Sequence, residues 1–182
     1  MSKRACCSGA EITAMLTVYS SDLNHVIASI DNTVITIWKK ETTTMGVLAL
    51  QRAIVKVNAT SQMKVAAFSL IARDAPQPSK ENRAAIEKII KACEPILLSC
   101  TYVFEAEGFQ ASIVRNVVSI MIMRSKPKFA YTVTKSIAEG VQWTVEQLRV
   151  RGQPHSGGDQ AKLLMSTIND LRSAPVGKLG AK

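Results

Sequence analysis

The sequence predicts an α/β fold: a mixed sheet of about five strands, in which an N-terminal hairpin leads into alternating helices and strands. Three observations predict it. Residues Ile96 to Phe104 form a strand-like apolar run that passes through a polar turn, Glu105 to Gly108, into a strongly apolar helix, Phe109 to Met123. Residues Met63 to Ala72 form a second, nearly continuous apolar run, as expected of a central strand covered on both faces. Segments with helical periodicity separate these runs.

Each element has its own signal. Residues 1–22 mix small, polar and apolar types without a clean period and read as a flexible leader. Asn24 to Trp38 reads as a hairpin. Val26, Ala28 and Ile30 alternate with His25, Ile27 and Ser29, and Val34, Thr36 and Trp38 alternate with Thr33, Ile35 and Ile37. Asp31 and Asn32 supply turn residues that tolerate positive φ. Thr42, Thr43 and Thr44 offer capping hydroxyls to a helix over Met45 to Ala59, with Leu48, Ile54 and Val55 on one side and Gln51, Arg52 and Lys56 on the other. After the Met63 run, Pro76 and Pro78 break regular structure. Ser79 then caps a helix over Lys80 to Ala92, in which Ala84, Ile86, Ile89 and Ile90 face inward.

The Phe109 to Met123 helix leaves only a narrow polar strip that includes Arg115 and Asn116. Such a wide apolar surface calls for a second cover, from the leader, the C-terminal segment or another subunit. Phe129 to Val133 makes a short edge strand. Thr134 or Ser136 caps the next helix, which is lined by Ile137, Val141, Val145 and Leu148, and Ser136 with Glu139 fits a capping box. Gly152 to Gly158 reads as a linker, Asp159 to Leu171 as a weaker amphipathic helix, and Pro175 to Lys182 as a loose basic tail. The domain therefore spans 23–150, between a leader of 1–22 and an appendage of 151–182.

Composition bounds the function. A hydrophobic fraction of 47% in 182 residues suits one packed core. No apolar run reaches the roughly 18 residues of a membrane span, and no apolar stretch follows Lys3 and Arg4 as in a secretory signal. The expectation is a cytoplasmic protein. Cys6, Cys7, Cys93 and Cys100 show no metal-ligand spacing with each other, His25 or His155, so neither metal nor cofactor is expected. There is no nucleophile elbow, phosphate-binding loop or dinucleotide fingerprint, so no catalytic residue is assigned. His25 reads as a strand surface residue. Glu105 and Glu107 sit between a strand end and a helix start, where α/β folds place binding residues and where carboxylates complement the helix dipole.

The net charge of +9 is unevenly spread. Between Glu107 and Glu139 there is no acidic residue, while Arg115, Arg124, Lys126, Lys128 and Lys135 all fall there. Such a patch suits an acidic protein, a phosphate-bearing ligand or an anionic surface. Aromatic residues do not interleave with the basic ones, so a nucleic-acid-binding module is the alternative rather than the favoured reading.

The order hairpin, helix, strand, helix, strand, helix, short strand, helix over residues 24 to 150 resembles the STAS domain, named for sulfate transporters and anti-sigma factor antagonists. The resemblance rests on element order and on hydrophobic runs at corresponding places. It implies a mixed sheet with helices packed mainly on one side, a non-enzymatic regulatory role through a protein partner, and a phosphorylatable serine at the start of the helix after the third strand. That place holds Arg73-Asp74-Ala75-Pro76-Gln77-Pro78-Ser79-Lys80. The family's Asp-Ser-Ser/Thr-Gly pattern is absent, and Asp74 and Ser79 stand in its place at a different spacing. The expected protein is thus a regulatory or scaffolding protein that docks a partner. Arg115, Arg124, Lys126, Lys128 and Glu107 are its contact residues and Ser79 is the candidate phosphorylation site. Self-association through the Phe109 to Met123 helix is a further expectation, and a small-molecule or lipid-binding role is a second alternative.

Overall fold

A computed structural model describes residues 16–105, 126–151 and 159–174. Their strands form one six-stranded mixed sheet whose spatial order follows the chain, β1 to β6. β1 (Thr17–Ser21), β2 (His25–Ile30) and β3 (Thr33–Trp38) are antiparallel neighbours, and β4 (Val65–Ile71), β5 (Leu97–Phe104) and β6 (Ala130–Thr134) continue parallel to β3. The α/β class and the hairpin-first order match the reading of the sequence.

The β2–β3 turn is tight because Asp31 takes the left-handed conformation, φ 49°, which short polar side chains tolerate. Asn32 then ties this turn to the start of β4, its side-chain amide donating to the Lys64 carbonyl at 3.0 Å. α1 (Thr44–Ser61) starts at the Thr43 cap and ends at Gln62, where φ is 55°. α2 (Lys80–Cys93) starts at Ser79, whose hydroxyl accepts from the Asn82 N–H. α3 (Ile137–Val150) starts at Ser136, whose hydroxyl accepts from the Glu139 N–H. α4 (Gln160–Ser173) starts at Asp159.

The strands bury both faces, as their double apolar alternation requires. On one face, Ile27, Val34, Val65, Ala67 and Leu97 pack under α1 and α2. On the other, Val26, Ile35, Ile37, Phe68 and Val103 pack under α3 and α4. Two glycines mark the closest helix-to-sheet approaches, one per face. A Cβ on Gly46 of α1 would lie 2.8 Å from Trp38 and 2.9 Å from His25, and one on Gly140 of α3 would lie 2.7 Å from Val103. Beside Gly140, the Thr144 hydroxyl donates to the Gly140 carbonyl at 2.8 Å and meets the Thr101 hydroxyl at 2.7 Å.

The structure corrects the sequence reading at several points. Among the described residues, helices cover both faces, two on each, rather than mainly one, because α4 belongs to the core. Its Leu164, Thr167, Ile168 and Leu171 are buried against α3 and the sheet. The leader is shorter than 1–22, since residues 17–21 are an edge strand. A bulge between Val18 and Ser20 breaks its alternation, which is why no clean period shows. In α1 the buried set is Gly46, Val47, Ala53, Ile54 and Val57. Leu48 and Val55 face outward because the small residues take the tight side. In α2, Ala84 is exposed and Ala85 packs instead.

Candidate functional site

The parallel strands end together, and the residues just past them build an open polar basin of about 630 Å³. Arg73 and Asp74 follow β4, Glu105 follows β5, Lys135 and Ser136 follow β6, and Arg172 comes from the last turn of α4. The connection leaving β4 carries α2 to one face, and the one leaving β6 carries α3 to the other. A crevice at the carboxyl ends of strands whose exits diverge is where open α/β sheets place ligands.

Arg172 Nη1 lies 2.8 Å from Glu105 Oε1, with Arg172 52% and Glu105 17% exposed, so this pair joins α4 to the end of β5. On the same rim, Lys39 Nζ donates to the Ala174 carbonyl at 3.2 Å. The Ser136 hydroxyl is committed to its cap, accepting from the Glu139 N–H at 3.2 Å. The positive end of the α3 dipole therefore opens into the basin. Three cations and two carboxylates line it, a mixture that favours anionic or zwitterionic groups of a polar partner.

Ser79 lies on the loop that also carries Arg73 and Asp74, at the same end of the sheet. It is exposed, and its oxygen caps α2 by accepting from the Asn82 N–H at 3.2 Å. Lys126 and Lys128 are exposed but lie at the opposite end, before β6. Lys126 is left-handed, φ 43°, and the Lys128 N–H donates to Glu94 Oε1 at 2.8 Å. The structure thus separates the basic loop from Ser79 by the length of the sheet. Glu107, Arg115 and Arg124, and the Phe109 to Met123 segment proposed for self-association, lie outside the described residues.

Sequence reasoning placed Glu105 at a binding position and Lys135 in the basic patch, and missed Arg73 and Arg172 because each alone looks like solvated surface. Arg73 and Lys135 carry one shared signal, a basic residue within two positions of the end of a parallel strand.

A second concavity, an apolar slot of about 90 Å³, lies between α1, α2 and the sheet. Asn82 closes α1 and α2 together near one end, donating to the Thr42 carbonyl and accepting from the Thr44 hydroxyl at 2.9 Å. Two of the slot's ionisable lining residues are held neutral. Burial pushes the Cys100 thiol up to about 12, and burial also holds the Tyr102 phenol well above its ordinary range.

One further cluster brings a hydroxyl, an imidazole and a carboxylate together at the β1–β2 turn. Ser20 Oγ lies 2.9 Å from His25 Nε2, and His25 Nδ1 lies 3.2 Å from Asp22 Oδ1. Its setting is structural. His25 is 2% exposed rather than on the strand surface, packed against Trp38 at 5.7 Å between ring centroids. Asp22 Oδ1 already accepts from the N–H groups of Asn24 and His25 at 2.7 and 2.8 Å, which fixes the turn.

Among the described residues, no helix is long and apolar enough to cross a membrane, and no group of three or more His, Cys, Asp or Glu is placed to hold a metal ion. Fold and concavities together define an α/β protein with a polar basin at its strand ends and an apolar slot under one helical layer. No family model matches the chain, and neither the curated proteins nor the solved structures provide a match.

Proposed function

We propose that the chain is a non-enzymatic regulatory or scaffolding protein of the cytoplasm that acts by docking a protein partner, in the manner the STAS resemblance implies. The observation that carries the reading is the basin at the strand ends, where Arg73, Lys135 and Arg172 stand beside the Ser79 loop. It is open and lined by charges of both signs, which suits the polar side chains of an acidic protein segment. Phosphate on Ser79 would add negative charge at the positive end of α2 and beside this surface, giving a route to switch the partner on or off.

The test is capture of partners by the full-length protein, with and without nuclease, using two charge-reversal variants. One is Arg73→Glu with Lys135→Glu, and the other is Lys126→Glu with Lys128→Glu. A stoichiometric partner that survives nuclease, is lost with the first variant and persists with the second is the expected result. Loss only with the second variant would move the docking surface to the amino end of the strands. Recovery that collapses with nuclease would favour the nucleic-acid alternative, for which the net charge of +9 is the supporting observation.

A further inference from the structure

We infer that the apolar slot between α1, α2 and the sheet binds a short-chain fatty acid, with the chain inside the slot and the carboxylate on Arg83. This goes beyond the docking reading and does not depend on it. The slot's volume, about 90 Å³, is several times the roughly 10–15 Å³ that one water requires. A water inside would need two to four polar partners. Leu50 and Ile54 of α1, Ile86 of α2 and Ala67 of β4 line the slot with hydrocarbon, while the polar lining residues Thr42, Ser69 and Tyr102 lie toward the carboxyl ends of the strands. The volume is below that of the roughly 150 Å³ apolar cavity known to admit benzene, so the guest is a short chain of about four carbons.

The space exists because Ala67 presents only a methyl group from the central strand, at a point where both helices stand above it. The slot runs along the strands. Thr42 and Pro78 line it at the carboxyl end of the sheet, and Leu97 lines it at the amino end. An elongated guest matches that axis. Arg83, on the first turn of α2, is the one charged side chain among the described lining residues. Its Nη1 donates to the Pro78 carbonyl at 3.2 Å, which holds the guanidinium at the carboxyl-end mouth of the slot. With Cys100 and Tyr102 neutral, Arg83 supplies the only formal charge along the slot among the described residues, and a carboxylate at one end of an apolar chain complements it.

Butanoate is the probe, and butan-1-ol is its uncharged counterpart. Each is titrated into the full-length protein and followed by calorimetry and by the thermal midpoint. The expected result is saturable one-to-one binding of butanoate that raises the midpoint. Ala67→Leu fills the slot and should abolish binding of both probes while the far-UV spectrum stays native. Arg83→Gln should weaken butanoate about tenfold, the loss of one charge-assisted contact, and leave butan-1-ol unchanged. If Ala67→Leu does not fold, Ile86→Phe blocks the slot from the α2 side and takes its place. Undiminished butanoate binding in the folded, blocked variant would overturn the proposal, as would a folded wild type that binds neither probe. An equal effect of Arg83→Gln on both probes would remove Arg83 from the site.

Discussion

Gly140 and Gly46 set how closely the helices approach the sheet, and both should resist even one added methyl group. A Cβ at position 140 would meet Val103 at 2.7 Å and Phe68 and Thr101 at 3.1 Å, all on rigid strands of the buried sheet. Overpacking of this kind costs about 1–3 kcal/mol, while replacing a helical glycine by alanine recovers about 1 kcal/mol of propensity. Strain should win, so Gly140→Ala is expected to lower the urea midpoint, and a raised midpoint would show that α3 can shift outward. His25 provides a second prediction, in pH. Burial lowers its pKa, and the nearby Asp22 carboxylate opposes this only in part. The folded state thus holds the proton less tightly than the unfolded state does. The His25 contribution is fully present above the unfolded pKa of 6.5 and is lost as pH falls below it. Glu81 and Glu146, held below the ordinary carboxylate range by hydrogen bonds, stay charged through this window. Denaturant midpoints at pH 7.5, 6.5 and 5.5 should fall, with a slope of at most about 1.4 kcal/mol per pH unit. The slope should vanish in His25→Gln and survive in His155→Gln. A slope that persists in His25→Gln would assign it elsewhere.

At the scale of the elements, local chemistry was legible wherever it was local. Ser79 and Ser136 cap α2 and α3 as their positions before apolar-periodic segments foretold. The hairpin and the two central parallel strands were legible from apolar runs alone. What escaped was what depends on distant partners. The side of α1 that faces inward is chosen by where Gly46 and Ala53 permit close approach, not by where the largest residues sit. β1 hides its alternation behind a bulge. The basin joins residues from four separate stretches of chain, so only the end-of-strand positions of Arg73, Glu105 and Lys135 hinted at it. A prediction belongs at this scale too. Ser79→Ala removes the side-chain acceptor for the Asn82 N–H and should destabilise the protein by about 1 kcal/mol. Asn82 is also the clasp between α1 and α2. Equilibrium unfolding of Ser79→Ala and Ser79→Asp separates capping from charge, because aspartate caps as well as serine does. If alanine has no effect, the cap contributes nothing measurable.

At the scale of the whole molecule, the sheet has no bare face among its central strands, and this makes the C-terminal helix part of the fold rather than an appendage. α4 inserts Leu164, Ile168 and Leu171, exposed by 2% or less, beside Ile35, Ile37 and Val26. Its far end is held by the Arg172–Glu105 pair and by Lys39 on the Ala174 carbonyl. Burying each of three such side chains is worth about 1.5–3 kcal/mol, and the sum is comparable to the whole stability of a domain, roughly 5–15 kcal/mol. The two ion contacts are part-exposed and add little. Deleting residues 152–182 would remove the cover and leave the β2 and β3 side chains facing water. The truncated chain is expected to lose its near-UV signal, which reports the packing of Trp38 and Trp143, and to associate on size-exclusion chromatography through the uncovered apolar face. Replacing Leu164, Ile168 and Leu171 together with serine in the full chain should produce the same loss while leaving chain length and charge unchanged. A truncated protein that stays monomeric and unfolds at the full-length midpoint would show that α3 alone covers that face.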